Sequence, residues 1–177
     1  MIFKKLLLLL PILLLTGSLH GQKMQEFGLT LSSFDSFGVI YKKQLKKETR
    51  YLRVSGANVN YLSFGSDVLN IQIGASVGWE NRKALNKKFK FIHGFEIGTA
   101  IGFGNLSNDL ILQVAPSVGY ILGGQYQLND DFYVNLEIVP RVQATFFTLD
   151  APIIQINGNS NLATLSIVYM IKRDDSL

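Results

Sequence analysis

The stretch from Leu110 to Phe146, LILQVAPSVGYILGGQYQLNDDFYVNLEIVPRVQATF, decides how the rest of the chain is read. Leu110, Leu112, Val114, Pro116, Val118, Tyr120, Leu122 and Tyr126 share one parity, while Gln113, Ala115, Ser117, Gly119, Gly123, Gln125 and Gln127 share the other. Beyond the turn Asn129, Asp130, Asp131, a second run repeats the pattern. Phe132, Val134, Leu136, Ile138, Pro140, Val142, Ala144 and Phe146 alternate with Tyr133, Asn135, Glu137, Arg141, Gln143 and Thr145. A period of two held this long is the signature of strands. The stretch is therefore a hairpin with one bulky apolar face and one small, polar face.

Working outward, the same alternation recurs. Phe27, Leu29 and Leu31 begin a first strand, and Phe37, Val39 and Tyr41 mark a second over 37–45, where Ile40 breaks the parity. A third, 49–64, changes phase: Leu52 and Val54 give way to Ala57, Val59 and Tyr61, which predicts a β-bulge at Gly56. The fourth, 68–80, has the cleanest pattern, with Leu69, Ile71, Ile73, Ala75, Val77 and Trp79 on one side. The segment 81–88 reads as a basic turn with room for a helical twist at Ala84 and Leu85, and the fifth strand covers 89–103. The hairpin supplies the sixth and seventh strands. After the longest connection, 150–160, an eighth covers 161–171. Eight antiparallel strands with short turns predict an all-β fold, an eight-stranded up-and-down barrel.

The beginning of the chain lies outside that pattern. Lys4 and Lys5 precede an apolar run from Leu6 to Leu15, and Gly17, Ser18 and Gly21 follow it. A spanning helix needs about 20 apolar residues, and this run is roughly half as long, so residues 1–21 read as a secretory signal with cleavage before Gln22. Residues 22–177 then form the barrel domain. Taking Lys4 and Lys5 from the 17 Lys and Arg leaves 15 against 13 Asp and Glu, a balance that implies no nucleic-acid partner. No cysteine is present, which excludes disulfides and thiolate metal sites, and no cofactor is expected.

The composition of the two faces decides which one points outward. A water-facing surface should be rich in Lys and Glu, yet the polar parity is mostly Gly, Ser, Ala, Asn and Gln. Lysines gather in the turns instead, at Lys42, Lys43, Lys46, Lys47, Lys83, Lys87 and Lys88. An eight-stranded barrel is only just wide enough for side chains, so the small face goes inside. Nine glycines on that face, including Gly78, Gly94 and Gly119, leave room for larger inward groups. The bulky face then meets lipid, which is the first expected partner. Trp79, Phe89, Phe91, Tyr126, Phe132 and Tyr169 form an aromatic girdle at one end; Phe34, Phe37, Tyr61, Phe64, Phe103 and Phe146 stand at the other. This is a transmembrane β-barrel pattern.

Through VGWENRKAL, FIHGFEIG, APSVGYILGGQYQL and FYVNLEIVPRV, the sequence resembles the small eight-stranded bacterial outer-membrane β-barrels, in particular those of Bacteroidota-type bacteria. The resemblance implies a Gram-negative outer-membrane location and insertion by the barrel assembly machinery. Such barrels often end on an aromatic residue, whereas this chain continues past Tyr169 to Ser176 and Leu177. With both termini in the periplasm, 150–160 would face outside the cell.

Three functions follow from different classes: a structural or interaction barrel, a narrow channel, and a lipid-modifying enzyme. Some of the barrels it resembles are lipid A acylases or deacylases that use His, Ser and an acid, but His93 is flanked on its parity by Phe91 and Phe95, which suits an interfacial residue better than a triad. No catalytic, cofactor or metal residues are expected. The informative group is the inward charges Glu96, Glu137, Arg141 and Arg53, which predict an ion-paired interior, with Arg53, Glu80 and Lys90 nearer the periplasmic mouth. Arg141 is placed as the cation neutralising both Glu96 and Glu137.

Overall fold

A computed structural model describes residues 24–33, 36–64, 68–106, 109–147, 153–157 and 163–171, and of 33, 57–64, 68–71, 104–106, 109–111, 147 and 153–157 the backbone only. The signal assigned to 1–21, Phe34 and the tail at 172–177 lie outside the described residues, as do the side chains of Tyr61 and Phe64.

The strands are β1 Gln25–Ser33, β2 Ser36–Gln44, β3 Arg50–Phe64, β4 Val68–Ala84, β5 Phe89–Leu106, β6 Asp109–Gln127, β7 Phe132–Ile138, β8 Arg141–Phe147, β9 Ile153–Asn157 and β10 Ala163–Ile171. Each pairs antiparallel with its neighbours, and β1 closes on β10 through Gln25↔Ile171 to Leu31↔Leu165. The segments β7 and β8 are one barrel strand, since both continue the same register on β6, from Leu122↔Ile138 to Gly119↔Arg141. Their division falls at Pro140, which has no N–H for the ladder. The eighth barrel strand is likewise made of β9 against β8 and β10 against β7. The result is a closed eight-stranded barrel, as the periodicity predicts.

Two boundaries differ from the sequence reading. The connection placed at 150–160 contains β9, so 153–157 extends the wall of the barrel through Arg141↔Asn157 to Thr145↔Ile153. The polar turn placed at 81–88 is shorter, because Asn81 to Ala84 continue β4 against Lys90 to His93. There the chain turns only after Ala84, where the Asn86 side-chain oxygen accepts from the amides of Lys88 and Phe89 at 2.9 and 2.8 Å. The bulge expected at Gly56 is present: Val39 faces Gly56, and the β3–β4 register shifts between Ser55 and Asn58.

Burial is inverted relative to a water-soluble protein. Among the described residues, 27 large hydrophobic side chains are exposed and nine hydrophobic residues are buried, against 14 buried polar or charged ones. The exposed set includes Leu29, Val39, Ile73, Ile97, Val118, Leu136 and Ile167, and among the described side chains it spans β1, β2, β4 to β8 and β10. Inside, two small apolar clusters, Ile40 with Tyr133, Val168 and Met170, and Ile92 with Ile121 and Val139, accompany a polar centre. Ile40 thus breaks the outward pattern because it belongs to the interior.

Candidate functional site: a neutral ion-pair network in the lumen

The centre is laid out by strand register. Glu26 faces Lys42, Lys42 faces Arg53, Arg53 faces Gly78, Gly78 faces Glu96, Glu96 faces Gly119 and Gly119 faces Arg141. One row across seven strands therefore alternates charge with glycine along its second half. The glycines are needed for space. A Cβ on Gly78 would overlap the Phe95 carbonyl and lie 2.7 Å from the Glu96 Cβ, and one on Gly119 would lie 2.9 Å from the Arg141 Cγ. Each leaves room for a long charged chain from the neighbouring strand. A second row adds Tyr51, Glu80 and Gly94.

Arg53 sits between three carboxylates. Its Nη1 donates to Glu137 Oε2 at 2.8 Å and to Glu80 Oε2 at 3.4 Å, and its Nε lies 3.5 Å from Glu96 Oε2. Lys42 Nζ bridges Glu80 Oε2 at 2.9 Å and Glu137 Oε1 at 3.4 Å. Arg82 donates from Nε to Glu80 at 2.7 Å and through Nη1 and Nη2 to the two Glu26 oxygens at 2.8 and 2.6 Å. Its guanidinium lies 3.6 Å from the centre of the Tyr51 ring and 5.2 Å from that of Tyr133, whose hydroxyl donates to Glu26 at 2.5 Å. Asn135 donates to Glu137 Oε1 at 3.1 Å. Four cations, Lys42, Arg53, Arg82 and Arg141, thus face four carboxylates, Glu26, Glu80, Glu96 and Glu137. The site is neutral and, apart from Arg141, buried. A buried charge is tolerated only with this kind of pairing and hydrogen bonding.

The structure brings together Glu96, Glu137, Arg53 and Arg141, but not in the arrangement expected. Arg141 pairs with Glu96 at 2.5 Å while 44% of its side chain stays exposed, and it is Arg53 and Lys42 that hold Glu137. The reason is register: Glu137 faces Gly123, four positions along β6 from the Gly119 that faces Arg141. Lys42 corrects the reading that put it in a solvated turn, since it is fully buried. Arg82, Glu26 and Lys42 were absent from the sequence-based set. The signal existed for Lys42 and Glu26, which share parity with Gly38 and Ile40 and with Gly28 and Thr30. Lys90 faces Gln125 across the β5–β6 ladder.

Beyond Arg141 the lumen opens into a cavity of about 130 Å3 whose lining includes Ser32, Ser76, Ser117, Gln143 and Thr164, together with Arg141 itself. The girdle residues Trp79, Phe89, Phe91, Tyr126, Phe132 and Tyr169 are all exposed on the outer wall at the opposite end, between 39% and 45%. Phe89 meets Tyr126 at 6.0 Å, Phe132 meets Tyr169 at 5.0 Å, and Phe27 with Tyr41 at 4.8 Å extends the same band. His93 stacks on Phe91 at 5.9 Å, and its Nδ1 is 3.5 Å from the Tyr120 hydroxyl. Among the described residues no group of His, Cys, Asp and Glu has metal-binding geometry.

No protein-family model and no curated protein matches the chain. Among solved structures it is similar to Ail, the attachment invasion locus protein of Yersinia pestis, with a TM-score of 0.50 and 11% identity over 86% of this chain and 100% of that one. It is also similar to Neisserial surface protein A (NspA), with a TM-score of 0.42 and 16% identity over 86% and 95%. Both are small outer-membrane β-barrels. The likeness to Ail is one of fold.

Proposed function

We propose that the chain is an integral outer-membrane barrel with a structural or interaction role, its lumen shut by the neutral ion-pair network. The inverted burial carries this reading. A surface bearing Leu29, Ile97, Leu136 and Ile167 in one continuous band is costly in water and matched to hydrocarbon, and girdles of aromatic residues are the interfacial feature of such barrels. The interior supports a closed lumen: four cations and four carboxylates cancel in one network inside a small barrel. The test is fractionation with electrophoresis of unheated samples. The protein should pellet with carbonate-washed outer membranes and migrate faster unheated than boiled. Release by carbonate, with one mobility in both states, would overturn the reading.

A second reading, a narrow channel for small polar solutes, draws on one observation: Arg141 is half exposed and lines the cavity beyond the network. Conduction would require the Arg53, Glu80 and Glu137 cluster to part. The purified protein in planar bilayers should be electrically silent. Steady unitary currents altered by Arg141→Leu would instead establish the channel.

A further inference from the structure

Two turns at the girdled end of the barrel are built on one plan with opposite charge. Leu85, Asn86, Lys87, Lys88, Phe89 and Leu128, Asn129, Asp130, Asp131, Phe132 have the same residues at the first, second and fifth positions. In the first, the Leu85 and Asn86 amides donate to the Phe89 carbonyl at 2.9 and 3.2 Å; in the second, the Leu128 and Asn129 amides donate to the Phe132 carbonyl at 3.0 and 3.2 Å. In each, the Asn side chain accepts from the amides two and three residues on, at 2.9 and 2.8 Å in one and at 3.0 and 2.8 Å in the other. Such a turn is set by its Asn and is indifferent to the charge of its middle residues. The charge has therefore to be explained by something outside the turn.

On the basic side that charge is concentrated. The turn joining β2 to β3 carries Lys46 and Lys47, with Arg50 opening β3, and it lies against the last residues of β4, since the Arg82 amide donates to the Thr49 carbonyl at 2.7 Å and Arg50 faces Asn81. With Lys83, Lys87 and Lys88 this makes six exposed cations with one acid, Glu48, among them. They stand at the ends of the strands whose outer walls carry Trp79, Phe89 and Phe91, all exposed. Aromatic residues at that position mark the headgroup level of a bilayer, so the cations are at the depth of the lipid phosphates.

We infer that this sector of the rim, and not the sector around Asp130 and Asp131, binds anionic phospholipid headgroups of the leaflet it faces. The inference rests on the membrane reading above. Charge complementarity and depth together select a lipid over a soluble acidic partner, which would need no adjoining aromatic wall.

The repeated turn supplies a matched test. Trp79 is the chain's single tryptophan, so Trp79→Phe with Phe89→Trp or with Phe132→Trp places one reporter at the same position of either turn, and the parent residues are 41% and 40% exposed. Both variants are refolded in phosphatidylcholine vesicles in which a fixed fraction of lipid is brominated near the headgroup, as phosphatidylglycerol or as phosphatidylcholine. At residue 89 brominated phosphatidylglycerol should quench more strongly, with a relative association constant of roughly fivefold or more at low salt. At residue 132 that preference should be missing. Half-molar salt, or Lys87→Asp with Lys88→Asp, which gives the basic turn the middle residues of the acidic one, should abolish most of the effect while leaving heat-modifiable migration unchanged. Equal quenching by the two lipids at residue 89 overturns the inference and leaves the membrane reading standing. Absence of quenching by either lipid at both positions overturns both.

Discussion

At the residue scale, the cation that matters most is Arg53. It is 4% exposed and faces Glu80, Glu96 and Glu137 at once, whereas among the described residues Arg141 pairs with Glu96 alone and is 44% exposed. Replacing Arg53 with Met should cost about 3 to 5 kcal/mol, the penalty for stranding buried charges, read as a lower urea midpoint in micelles. Arg141→Leu should cost far less; an equal loss for both would return Arg141 to the centre of the network. The glycines divide as sharply. A Cβ on Gly94 would overlap the Trp79 carbonyl, so Gly94→Ala should abolish the heat-modifiable form, while Gly56, with open space around its Cβ position, should accept Ala with the form intact. Periodicity reached Glu96, Glu137 and Arg141 because each sits inside a long alternating run, and Arg53 because it falls between Leu52 and Val54 ahead of the bulge. It missed Arg82 because Arg82 and Lys83, adjacent charges on opposite faces, look like a solvated turn until Asn86 is seen to close the chain later.

At the element scale, the seam between β6 and the seventh barrel strand is interrupted at two prolines. Pro140 accepts from the Tyr120 amide at 3.0 Å but returns no bond, and the β6–β8 pairing is interrupted between Val114↔Phe146 and Ser117↔Gln143, opposite Pro116. The β5–β6 ladder on the other side of the same strand is unbroken from Phe89↔Tyr126 to Leu106↔Asp109. Amides of Gln143 and Ala144 should exchange with solvent deuterium at least about tenfold faster than those of Ile97 and Thr99; matching rates would mean the prolines do not loosen the seam. The outer face gives a second prediction. Leu136 on β7 is 60% exposed, and Leu136→Arg should cost about 2 to 4 kcal/mol of folding stability in vesicles if it lies at the midplane. A neutral result would place that face in water. The strands themselves were legible from alternation alone, as was the bulge at Gly56. The segment β9 was not, because five residues between Asp150 and Pro152 on one side and Gly158 and Asn159 on the other carry more turn signal than strand signal.

At the scale of the whole molecule, inside and outside are inverted, and β10 shows this in its plainest form. Along Ala163–Ile171 the exposed residues are Ala163, Leu165, Ile167, Tyr169 and Ile171, and the buried ones Ser166, Val168 and Met170. The same alternation would serve a soluble barrel with its bulky face inward, so only the direction of each parity separates the two architectures. The lumen, filled by paired charges and small residues, has no space for the bulky set, and this is why the composition of the faces carried more information than their period. The most direct test is spin labelling, one position at a time from 164 to 170, on protein refolded in vesicles, with collision rates measured against dissolved oxygen and a water-soluble nickel chelate. Oxygen accessibility should peak at 165, 167 and 169, with the chelate excluded from all three, and both should be low at 166, 168 and 170. Chelate accessibility peaking at 165, 167 and 169 would put that face in water and contradict the account.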